Sequence, residues 1–94
     1  MDKTFFIGIS MRTLEELIPL ARFPIGGDKE FAEELYDSLK GSATGLDESP
    51  LLMEWTEEQS GLPQNLCLRA CSLKDMAHNC ELITKALFRK HTLR

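Results

Sequence analysis

Three thiols and two imidazoles are the side chains in this 94-residue chain whose types most directly suggest chemistry: Cys67, Cys71, Cys80, His78 and His91. A pair of thiolates with an imidazole nearby can hold a soft metal, and a thiol beside a base can act as a nucleophile. The spacing argues against both. Cys67 and Cys71 fall on a stretch that reads as a strand, where four residues separate two side chains by about 13 Å, beyond the reach of a disulfide or a shared zinc. Cys80 belongs to the apolar stripe of a helix whose other side carries His78, and His91 follows on the same helix. Isolated cysteines of this kind are small core or interface residues. No catalytic residue, metal site or cofactor is expected.

Carboxylates are plentiful in Glu30, Glu33, Glu34 and Asp37, and again in Glu54, Glu57 and Glu58. Acid–base catalysis needs carboxyl groups whose surroundings push their pKa values apart. The first set instead recurs on one side of a helix and reads as a solvated face. Gly26-Gly27 fits neither the nucleotide-binding P-loop pattern nor the dinucleotide pattern, so a phosphate cradle is not expected.

The elements that must position these residues follow from periodicity. Phe5, Ile7 and Ile9 alternate with Thr4, Phe6, Gly8 and Ser10, which predicts a strand over 4–10 with the odd residues facing the core. Thr13 followed three residues later by Glu16 has the form of a capping box and predicts a short helix, curtailed or restarted at Pro19. Phe23 to Gly27 reads as a loop. Asp28 is suited to cap a second helix, in which Phe31, Leu35 and Leu39 form one stripe and the acids the other face. Gly41 is placed to end it, with Lys40 in its last turn.

Residues 42–50 read as a polar loop and 51–56 as a second strand with Leu51, Met53 and Trp55 on one side. A turn-rich connection over 59–65 leads to a third strand, 66–71, so that the last two strands form a hairpin. From about Leu73 to His91 runs an amphipathic helix: Met76, Cys80, Ile83 and Leu87 make the stripe, widened by Leu73 and Ala77, and Ser72 with Asp75 makes a capping box. Glu81 and Lys85 have the favourable i to i+4 order on its outer side.

The expected fold class is therefore α+β, with element order β-α-α-β-β-α in a single domain over 1–94. Its three-stranded antiparallel sheet has order 1-3-2, with helices packed on one face. The central strand then sets Leu66, Leu68 and Ala70 against the last helix. The composition, 43% hydrophobic and 28% charged, suits one folded core. No apolar run approaches the roughly 20 residues that span a bilayer. Three cysteines without framework spacing point to a reducing, cytoplasmic location.

That element order resembles the order in type I KH domains, and the resemblance implies a groove gripping single-stranded nucleic acid through a GXXG loop. The corresponding place here reads Ile25-Gly26-Gly27-Asp28-Lys29, without the GXXG spacing and with an acid following. Residues Asn65 to Leu87 are similar in pattern to the family's last strand and helix. The resemblance makes nucleic-acid binding the alternative function, with Lys85, Arg89 and Lys90 as its basic surface. Arg94 extends that basic end. Between Asp28 and Glu58, by contrast, ten acids stand against Lys29 and Lys40.

The leading expectation is a small, non-catalytic protein-interaction or accessory domain. The uncovered sheet face is expected to show Phe6, Leu52, Cys67, Arg69 and Cys71, with Glu54 among them. A mixed surface of that kind suits a protein partner or a second copy of the chain, and an exposed strand edge offers another route to self-association.

Overall fold

The computed structural model describes residues 3–92. Its elements are β1 (Lys3–Arg12), β2 (Leu17–Gly26), α1 (Lys29–Asp37), β3 (Leu51–Gln59), β4 (Leu62–Cys71) and α2 (Leu73–Thr92). The four strands form one antiparallel sheet in the order β2-β1-β3-β4. The α+β class and the single helix-covered sheet stand. The sheet has four strands rather than three, and the element order is β-β-α-β-β-α.

The difference begins at Thr13. Its hydroxyl does accept from the amides of Glu15 and Glu16, at 3.3 and 3.0 Å, as a capping residue would. It also donates to the Glu16 carbonyl, whose oxygen takes the Thr13 amide at 2.8 Å. Those bonds close a tight hairpin turn instead of opening a helix, because a Ser or Thr hydroxyl serves turns and caps by the same local bonding. Leu17–Gly26 then pairs along β1, with irregularities at Leu20 and Ile25 that accommodate the neighbouring Pro19 and Pro24.

β1 pairs directly with β3, so the strand ending at Cys71 lies at the sheet edge and not between the other two. β3 and β4 are joined by Ser60 and Gly61, both in left-handed backbone conformations (φ 55° and 79°), the geometry of the two-residue turns that match strand twist. Opposite Trp55, β4 carries a bulge that leaves Leu66 unpaired.

Both helices cover the same face. Phe5, Ile7, Met53, Trp55 and Cys71 from the sheet meet Ala32, Leu35, Tyr36 and Leu39 from α1 and its end, and Ile83 from α2. Trp55 stacks on Tyr36 with ring centroids 5.7 Å apart and lies 6.1 Å from Phe5. The expected stripe of α2 is kept at Ile83, in the core, and at Met76 and Leu87, packed against it, but its margins differ. Leu73 is 79% exposed and Ala77 is exposed, whereas Asn79 and Ile83 are fully buried. The expected capping box is present: the Asp75 amide donates to Ser72 Oγ at 3.0 Å and the Ser72 amide to Asp75 at 3.1 Å.

α1 starts where expected, with Asp28 accepting from the Phe31 amide at 3.2 Å. Its other end is held by tertiary contacts. Gly41 follows because a side chain there would meet Arg69 Cβ at 3.0 Å and the Ala70 carbonyl at 3.3 Å. The close approach to β4, and not a left-handed cap, requires glycine.

Candidate functional site

Cross-strand partners in an antiparallel pair point to the same side of the sheet. Cys67, Arg69 and Cys71 lie opposite Trp55, Met53 and Leu51, all on the helix-covered face. Their expected place on the open face is therefore corrected, and the same register puts Leu68 and Ala70 on the open side. The cause is a one-residue choice of register in β4, which moves every side chain to the other face. Phe6, Leu52 and Glu54 do lie on the open side.

Arg69 reaches under α1. Its guanidinium donates to the carbonyls of Tyr36 and Leu39 at 3.1 and 3.3 Å, stands 3.6 Å from Asp37, and lies over the Tyr36 ring at 4.5 Å. A cation there complements the carbonyl end of the helix, so the role of Arg69 is structural. The Cys71 thiol donates to the Lys40 carbonyl at 3.4 Å, and burial pushes its pKa up. Cys67 is half-buried beside Tyr36, whose phenol donates to the Met53 carbonyl at 3.3 Å. Burial first, and then Cys67, raises the Tyr36 pKa. All three cysteines are free thiols.

The open face divides into two parts. At one end the connection between α1 and β3 wraps the β4 edge, where Ser42 exchanges backbone bonds with Ala70 at 2.9 and 2.8 Å. It then crosses below the sheet, held by Arg12, which donates to the carbonyls of Ser49 (3.2 Å) and Leu46. The 42–50 segment so closes this end, and Leu52 and Ala70 are only 5% and 8% exposed.

The other end forms a shallow groove of about 230 Å³ over Gly8, walled by Phe6, Pro19, Arg22, Glu54, Glu58 and Pro63, with the hydroxyl residues Ser10 and Thr56. Its charged groups have partners within the fold. Arg22 lies 3.6 Å above the Phe6 ring and bridges to Glu58 at 3.0 Å, while Glu54 accepts from Asn65 at 2.8 Å. The side chain of Glu54 lies across Gly8, 3.4 Å from where a Cβ would stand.

From this groove toward the hairpin tip, β2 carries apolar side chains in a stretch expected to be helical. Leu17 and Pro19 pair with Arg12 and Ser10 on the open side, Leu14 tips the hairpin fully exposed, and Leu20 is 53% exposed at the β2 irregularity. The run Leu14 to Ala21 is where the expected surface was missed, since its leucines at three-residue spacing mimic a helix.

On the expected basic surface, Lys85 pairs with Glu81 at 2.8 Å. Lys90 lies 3.4 Å from Asp28 and 4.2 Å from the Phe31 ring centroid. Two of the three bases are thus engaged within the fold; Arg89 is exposed, and Arg94 lies outside the described residues. The KH-like element order that motivated this surface is absent. Among the described residues no helix is long and apolar enough to cross a membrane, and no cluster of His, Cys, Asp and Glu is arranged to hold a metal ion. The chain matches no protein-family model, no curated protein and no solved structure.

Proposed function

We propose that this is a small, non-catalytic protein-binding domain that meets its partner, another protein or a second copy of itself, with the open sheet face on its β2 side. One observation carries the reading: along β2 and its hairpin Leu14, Leu17, Pro19 and Leu20 are exposed, with Pro19 lining the groove over Gly8, while the helices bury the other face of the same sheet. Exposed apolar side chains with polar groups beside them have the make-up of an interface. The free thiols suit a reducing cytoplasmic setting.

A photo-crosslinking residue at Leu17, compared with one at the exposed Lys74 on the outer side of α2, tests this. Adducts of discrete protein mass are expected from position 17 and not from position 74. Equal yields at both positions, together with a strictly monomeric chain by light scattering, would overturn it.

A further inference from the structure

The backbone directions of both edge strands follow from one pair of bonds. Ala70 spends its amide and its carbonyl on Ser42, so it makes no ladder bond to its partner Leu52, which must turn its own groups toward β1. By alternation, the even-numbered residues of β3 from Leu52 to Glu58 face β1, and those of β1 face β3; the Arg12 amide, which donates to the Pro50 carbonyl, agrees. The cross-strand partners of these residues therefore point outward.

On β2 the outward positions are Leu17, Pro19, Arg22 and Pro24; on β4 they are Pro63, Asn65, Leu68 and Ala70. Proline has no amide to donate, and three of the chain's four prolines occupy these positions. On β2 a proline follows each outward donor, so no two successive donors exist for a strand to dock on. On β4 Pro63 is blank, Ala70 is taken by Ser42, and the bulge at Leu66 puts Asn65 and Leu68 out of step. Edge prolines and bulges are established means of stopping sheets from adding strands.

We propose that Pro19, Pro24 and Pro63 terminate the sheet at four strands, so that this chain meets other proteins through side chains and never by strand addition at an edge. The proposal is independent of which partner the open face takes. It excludes the strand-edge route to self-association.

Two measurements test it. In the unaltered protein, the outward amides of Leu17, Arg22, Asn65 and Leu68 are expected to exchange with solvent at a rate that a hundredfold rise in protein concentration leaves unchanged. A tenfold or greater slowing of these amides would show edge pairing and overturn the proposal. Replacing the prolines singly and together (Pro19→Thr, Pro24→Thr, Pro63→Thr) is expected to leave the fold intact and to raise the light-scattering mass at concentrations where the parent's is constant. Folded variants that keep the parent's mass would overturn it as well. Should the combined variant not fold, the single variants and the parent's exchange rates decide.

Discussion

Asn79 holds Lys40 by both of its backbone groups: the side-chain oxygen accepts the Lys40 amide at 2.8 Å, and the side-chain nitrogen donates to the Lys40 carbonyl at 2.8 Å. A carboxamide on α2 thus mimics one rung of a ladder and fixes the chain just beyond α1. Asn79 is the only buried polar or charged residue among those described. Replacing it with Ala or Leu leaves the Lys40 amide without a partner and its carbonyl with only the weak Cys71 thiol donor, and a loss of about 1–3 kcal/mol is expected. Asn79→Asp, which loses the donor and buries a carboxylate, should cost at least as much near neutral pH. Urea melts followed by circular dichroism check both.

Arg69 is expected to act on stability and not on partner binding. Arg69→Met should lower stability by about 1–3 kcal/mol, because the Tyr36 and Leu39 carbonyls lose their donor. Arg69→Lys should recover only part of this, since an ammonium has no second nitrogen to hold near Asp37 and cannot lie flat on Tyr36. Amide exchange over 36–40 should speed up in both variants.

The Trp55 indole N–H is buried without a hydrogen-bond partner. Trp55→Phe removes that orphan donor while keeping a ring against Tyr36 and Phe5, so it should cost less than about 2 kcal/mol, whereas Trp55→Ala should cost about 3–5. Native tryptophan fluorescence is expected to be blue-shifted and poorly quenched by iodide.

Alkaline pH is expected to destabilise the fold through Cys71 and Tyr36. Each has a folded pKa raised above its ordinary value, 9.0 for the thiol and 10.0 for the phenol, chiefly by burial. The unfolded chain therefore releases its protons first, and stability that is fully present below pH 9 falls as pH rises through 9 and 10. Cys71→Ala should flatten the first part of the slope and Tyr36→Phe the second, measured as urea midpoints from pH 7 to 10.5. At the acid side the sign reverses. The Asp28 pKa is lowered by the Phe31 amide and then by Lys90, so its contribution fades as pH drops below 3.8 and is absent in Asp28→Asn.

Ser60 adopts φ 55° in the β3–β4 turn, a region costly for most residues with a side chain. Ser60→Asn, which suits that conformation before Gly61, should raise stability by about 0.5–1 kcal/mol and leave all contacts unchanged. Thermal melts check it.

The candidate surface was half legible. The alternation of Phe5, Ile7 and Ile9 placed Phe6 on the opposite face, and Leu51, Met53 and Trp55 left Leu52 and Glu54 there, as found. Cys67, Arg69 and Cys71 could not be assigned in the same way. Their strand offers apolar residues at both parities, and the bulge at Leu66 resets the count, so local pattern did not decide which side faced the helices. Asn79 gave no signal at all, since a lone polar residue beside an apolar stripe looks like its solvated neighbours.

Local chemistry alone determined the features whose bonds close within a few residues. These are the Asp28 cap, the Ser72–Asp75 capping box, the Thr13 turn bonds, the amphipathic last helix and the alternation of β1. Tertiary structure decided what the Thr13 bonds were for. Leu14 to Ala21 has helical spacing and good helix formers, but an isolated turn of helix is marginal, and pairing with β1 satisfies the same backbone groups over a whole strand. Strand order, the face of Arg69, the reach of Asn79 to Lys40 and the outward placement of three prolines all depend on residues distant in sequence. No local pattern carries the register that brings them together.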